Sequence, residues 1–174
     1  VAFLLFAAAT IALSPGSARS ATISVVPSDT TVTVGDDLCL RVTIDAFPNL
    51  EGAQLIYGFD PAKLGLLSAS AGDVIAGAPG GYVDFLIPDV TAPTDSVWYE
   101  AAILTGSAAG PGILVFVCFT ATTEGDAMIT CRRLDVRDSL NQQTLVPCSN
   151  AVIHIVGPTA ARNRTWGGLK TIYR

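Results

Sequence analysis

From Ile23 to Val156 the chain is a succession of short runs rich in Val, Ile, Thr, Tyr and Phe, each stopped by Gly, Pro, Asp or Asn. Runs of that length with period-two alternation are strands, and none sustains the 3.6-residue repeat of an amphipathic helix. The expected strands are Ile23 to Val26, Leu38 to Asp45, Ala53 to Phe59, Gly65 to Ser70, Tyr82 to Ile87, Ser96 to Leu104, Ile113 to Thr122, Ala127 to Val136, Thr144 to Val146 and Ala151 to Val156. Strands that follow one another without helical crossovers pair antiparallel, so the fold class is all-β: two layers whose inner faces share one core. A chain of 174 residues, half of them apolar, has material for one such domain. Its expected limits are residues 21–157.

Alternation assigns the faces. In Leu38 to Asp45, the residues Leu38, Leu40, Val42 and Ile44 share one side, which sends Cys39 to the other. In Ile113 to Thr122 the better inner row is Val115, Val117, Phe119 and Ala121, so Cys118 also points outward. Two outward cysteines on neighbouring strands are within bridging distance. The expected pairing is therefore Cys39 with Cys118 and, by elimination, Cys131 with Cys148.

Oxidised cysteines fit an exported protein, and the N-terminal sequence points the same way. Val1 to Leu13 is an unbroken apolar run followed by Ser14-Pro15-Gly16 and by the small residues Ala18 and Ser20. Thirteen residues are too few to span a bilayer but suit the apolar region of a secretory signal, expected over residues 1–20 with a cut before Ala21. No other stretch is long and apolar enough to cross a membrane, and no C-x-x-C pair suggests zinc or thiol exchange. Residues 158–174 form a linker and a basic tail in which Trp166, Leu169, Ile172 and Tyr173 recur at spacings of three or four.

Charge narrows the partners. The net charge is -5, and all 15 carboxylates lie between Asp29 and Asp138, where the basic residues are only Arg41, Lys63, Arg132, Arg133 and Arg137. A phosphate backbone needs clustered positive charge, so nucleic acid is not an expected partner. Catalytic signals are weak. His154 is the single histidine, no Gly-x-Ser-x-Gly elbow is present, and the expectation is that the chain is not an enzyme. Asp135, Asp138 and Asn141 lack the EF-hand spacing; a turn explains them more simply than a loose calcium site. Glu100 is the one acid inside an otherwise apolar strand, expected on the outer face.

The order of motifs carries more than any single residue. Ile23 to Pro27 leads into Val34-Gly35-Asp36, then Leu50-Glu51-Gly52-Ala53-Gln54-Leu55-Ile56-Tyr57-Gly58-Phe59-Asp60-Pro61, Leu64 to Leu67 and Ala71-Gly72-Asp73-Val74-Ile75. Gly112 to Phe119, Gly125 to Thr130 and Leu134-Asp135-Val136 complete the series. This succession resembles the cohesin modules of cellulosomal scaffoldins over nearly all of Ile23 to Val156. The resemblance implies a nine-stranded antiparallel β-sandwich with jelly-roll topology, secreted or on the surface of a bacterial cell. It further implies a non-catalytic role: holding a dockerin, a small helical module that carries its own calcium and is fused to a partner in polysaccharide-degrading or cell-surface assemblies.

In that family the binding surface is the outer face of the sheet holding the third, fifth, sixth and eighth strands. With Ala53, Leu55, Tyr57 and Phe59 inward, the outward third-strand positions are Gly52, Gln54, Ile56 and Gly58. The resemblance adds Ile87 on the fifth strand, Trp98, Glu100 and Ala102 on the sixth, and Leu140 after the eighth. Trp98 beside Ile56 and Ile87 is the expected apolar centre, rimmed by Gln54 and Glu100. Two rivals stay open. One is a carbohydrate-binding module of the same sandwich class, although alternation turns Tyr57 and Tyr99 inward; the other is a structural surface or adhesion domain.

Overall fold

The computed structural model describes residues 21–87, 95–144 and 146–158. The expected signal and nearly all of the tail lie outside the described residues. Eleven strands and one short helix follow in order: β1 (Ile23–Val26), β2 (Asp29–Thr33), β3 (Asp37–Ile44), β4 (Leu50–Gly58), β5 (Leu64–Ala71), α1 (Asp73–Ala76), β6 (Tyr82–Ile87), β7 (Ser96–Ile103), β8 (Gly112–Ala121), β9 (Gly125–Asp138), β10 (Gln143–Thr144) and β11 (Ala151–Val156). They form two sheets, one ordered β1-β3-β8-β5 and the other β2-β11-β9-β4-β7-β6, with β10 attached to β9.

The inner faces are those that alternation assigns. Leu40, Val42 and Ile44 from β3, Val115, Val117 and Phe119 from β8, Leu55 from β4 and Tyr99 from β7 are sealed in one cluster. The Phe119 ring meets Phe59 edge to face at 5.1 Å between centroids. Each such side chain contributes roughly 1.5–3 kcal/mol by leaving water, which makes this shared layer the main source of stability.

The expected nine strands become eleven, and the sandwich is not purely antiparallel. Pro27 cannot donate to a ladder, so the first strand ends there and the chain crosses layers. β1 pairs with β3, whereas β2 runs parallel to β11 in the opposite sheet. β2 escapes the sequence pattern because Asp29-Thr30-Thr31-Val32-Thr33 offers one apolar residue, too few for an alternating signal. β10 is only two residues long.

Both disulfides join the expected cysteines. Cys39 and Cys118 are directly opposite on β3 and β8, and Cys131 on β9 is bonded to Cys148 ahead of β11. The Gly72-Asp73 motif proves structural: a Cβ on Gly72 would lie 2.2 Å from the Ile113 carbonyl oxygen, and the Asp73 carboxylate accepts the Ile113 N–H. That contact fastens the end of β5 and α1 to β8.

Candidate functional site

The four strands singled out by the resemblance are neighbours in one sheet, ordered β9-β4-β7-β6. Register sets their outward residues side by side: Gly52 opposite Ala102, Gln54 opposite Glu100, and Ile56 opposite Trp98. Ile87 is the register partner of Trp98 on β6; its side chain lies outside the described residues.

At the Trp98 end the face is tied down. The indole Nε1–H donates to Glu100 Oε1 at 2.9 Å, and Gln54 Nε2 donates to the same oxygen. Trp98 and Ile56 are half-buried rather than open. Gly58 is outward but covered: the Arg132 guanidinium lies over it, where any Cβ would collide. Arg132 reaches on to Asp95 at 2.9 Å, and this ion pair holds the Asp95 carboxyl below its ordinary value.

The opposite end is open. Ala102 is exposed, and β6 raises Phe85 (60% exposed) and Val83 beside it, with Leu104 (62% exposed) just past β7. Leu140, 74% exposed, stands on the turn after β9. Asp138 Oδ1 builds that turn by accepting the N–H groups of Leu140 and Gln142, both at 2.9 Å, and Asn141 takes φ 56°. Asp138 and Asn141 therefore act as turn residues. On this side lies a groove of about 360 Å³ lined by the small residues Gly52 and Ala102 and by Phe85 and Arg137.

Asp135 lines this groove, 7% exposed, with Arg137 Nη2 on its Oδ2 at 3.1 Å. Its other oxygen, Oδ1, and Gln54 Oε1 are both buried without a hydrogen-bond partner. Sequence reasoning assigned Asp135 to a turn and passed over Val83, Phe85, Arg133 and Arg137. For β6 the signal existed, since alternation puts Val83 and Phe85 on the same side as Ile87. For β9 it misleads. Counting in twos from buried Ala127 and Ile129 would carry Asp135 to the core, but a bulge opposite Ile56 and Tyr57 inserts one residue and reverses the faces.

Tyr57 and Tyr99 do point inward. Burial pushes both phenols above their ordinary value, aided at Tyr99 by the Asp84 carboxylate that accepts its hydroxyl at 3.3 Å. His154 lies elsewhere, on β11, bonded through Nδ1 to Asp126 at 2.7 Å and within 3.3 Å of Asp29 through Nε2. Asp126 first, then Asp29, raises its pKa. Its two ring nitrogens are thus occupied by carboxylates rather than by a nucleophile. Among the described residues no group of three His, Cys, Asp or Glu side chains could hold a metal ion, and no helix is long and apolar enough to cross a membrane.

No protein-family model matches the chain, and a sequence search of curated proteins gives no match. Solved structures do match. A non-cellulosomal cohesin from Archaeoglobus fulgidus superposes with a TM-score of 0.65 at 18% identity, covering 84% of this chain and 99% of that one. The OlpA cohesin–dockerin complex of Clostridium thermocellum gives 0.66 at 10% identity, covering 79% and 100%. A type II cohesin from the Acetivibrio cellulolyticus cellulosome gives 0.64 at 17% identity, covering 77% and 95%. The fold is that of a cohesin module.

Proposed function

We propose that this chain is a secreted, non-catalytic, cohesin-like module that docks a dockerin-bearing partner through the outer face of the β9-β4-β7-β6 sheet. The observation that carries the reading is the open half of that face, where exposed Phe85 lines a groove with Gly52 and Ala102, and Val83 on β6 and Leu104 just past β7 are exposed as well. Monomeric proteins rarely leave large apolar side chains grouped on a flat sheet unless something covers them. Strands hold the backbone of this surface, so little ordering entropy opposes association. Export accords with two disulfides, which persist in oxidising compartments, and with residues 1–20 serving as a cleaved signal. The basic tail lies outside this reading.

Gln54, Ile56, Trp98, Glu100, Ala102 and Leu140, together with Ile87, are the proposed contact residues, now joined by Phe85 and Val83. Titration calorimetry against a panel of recombinant dockerin modules, with calcium and with chelator, is the direct test. Binding that disappears with the chelator is the expected result, because the partner carries the calcium. Trp98→Ala should weaken it by about 2 kcal/mol or more, as an aromatic contact at the interface centre does, while leaving the fold intact. Unchanged binding by that variant would show that the Trp98 end is not used. Glycan binding is the rival outcome. Among the described aromatics only Phe85 is exposed, whereas sugar platforms stack on several; affinity electrophoresis in soluble polysaccharide separates the two.

A further inference from the structure

The groove contains a mismatch that its apolar walls do not explain. Asp135 is the one charged side chain buried among the described residues, and Arg137 satisfies only one of its oxygens. Gln54, its register partner on β4, contributes a second buried acceptor with no donor. Two acceptors, one carrying charge, thus adjoin on neighbouring strands beneath the same groove. The Gln54 amide cannot relieve this by turning over, since its oxygen would then face Glu100 Oε1, which already accepts its Nε2. A buried acceptor without a donor is unfavourable, and a charged one more so, so the site gains from any group able to supply hydrogens.

Resting on the docking reading above, we infer that the groove receives a cationic side chain of the partner, an ammonium or guanidinium with at least two N–H hydrogens, bonded to Asp135 Oδ1 and Gln54 Oε1. A hydroxyl has one hydrogen and serves only one acceptor. Charge complementarity favours the cation: between residues 21 and 157 there are 15 carboxylates against five basic side chains. The groove is wide enough at about 360 Å³. Phe85 on β6, two strands from β4, also lines the groove and supplies an aromatic side chain for the aliphatic stem or the charge to pack against.

The test is a two-dimensional amide NMR titration of the ¹⁵N-labelled domain with n-butylammonium and n-butylguanidinium, using n-butanol as the uncharged comparison. Saturable shifts centred on Gln54, Asp135 and Arg137 with the cations, at least tenfold weaker with butanol, are expected. Asp135→Asn should weaken cation binding at least tenfold. Arg137→Gln, which removes the competing guanidinium, should strengthen it; opposite signs from two neutralisations cannot come from misfolding alone. Absence of saturable shifts, or binding that emerges only when Arg133→Gln removes the neighbouring guanidinium, would overturn the inference, the second because the chain then supplies its own donor. The two readings fail separately. If a dockerin module binds with Trp98 dependence and Asp135→Asn leaves its Kd unchanged, the cation pocket falls and the docking face stands. If the cations bind and no dockerin does, the pocket stands and the partner is another cationic protein.

Discussion

On the outer face of the β1-β3-β8-β5 sheet the polar side chains close on one another. Cys39 is bonded to Cys118, Thr120 Oγ1 donates to Asp37 at 2.6 Å, and Thr43 Oγ1 donates to the Ser24 carbonyl at 3.2 Å. On the outer face of β9-β4-β7-β6 the same kinds of residue leave an account unsettled: two buried acceptors lack donors, and Phe85 and Val83 stand in water. Both faces are products of the same alternation. What separates them is whether the outward groups find partners within the chain; on the proposed docking face Asp135 Oδ1 and Gln54 Oε1 do not.

Breaking the disulfide of the closed face should have the largest effect, larger than breaking the one that starts from β9. The Cys39–Cys118 bridge spans 79 residues and Cys131–Cys148 spans 17. By loop entropy their removal as paired alanines costs about 4–5 and about 3 kcal/mol respectively in denaturant titrations. Equal losses would mean that the longer loop is already constrained in the unfolded chain. Next comes an exchange of aromatics between faces. Phe85→Ala should reduce affinity for a dockerin-type partner by about 2 kcal/mol with stability within about 0.5 kcal/mol. Phe116→Ala, half-buried on β8 opposite Arg41, should cost about 1 kcal/mol of stability and leave affinity alone. The reverse pattern would exchange the roles of the faces.

How much of this was legible beforehand differs between the faces. The closed one could be read from Leu38-Cys39-Leu40 and Val117-Cys118-Phe119, because undisturbed alternation fixes which way a cysteine points. At the open one, alternation located Gln54, Trp98 and Glu100 on the outer side but not their state: Trp98 looks like a free aromatic in sequence and is in fact held by Glu100. Asp135 was hidden by a bulge, and a single inserted residue leaves no compositional trace. β2 was hidden for the opposite reason, its threonines pairing through backbone without an apolar row. The Gly72-Asp73 motif, specific as a signature, reports a close backbone approach needed by the fold and not a contact surface.

Smaller effects sharpen the contrast. Gly52→Ala places its Cβ 3.6 Å from the Ala101 carbonyl oxygen, an ordinary contact. Stability should hold or rise by up to about 1 kcal/mol, as for glycine replaced in a strand, while the shallower groove weakens binding. The smallest effect is expected at His154 on β11, beside β9 but outside the four-strand face. Asp126 raises its folded-state pKa above the ordinary value of about 6.5. The contribution is therefore complete below about pH 6.5 and fades as pH rises through the folded pKa. Thermal melts between pH 6 and 9 should show this slope in the parent and lose it in His154→Gln; a slope surviving in the variant would assign it to another group.

The most direct test of the asymmetry between faces is calorimetry of one calcium-loaded dockerin module against two charge insertions, Ala102→Arg in the groove lining and Leu67→Arg on exposed β5 of the other sheet. Binding abolished by Ala102→Arg and changed less than twofold by Leu67→Arg is the outcome expected. Binding that survives Ala102→Arg, or is lost only with Leu67→Arg, would contradict the assignment of the β9-β4-β7-β6 face as the docking surface.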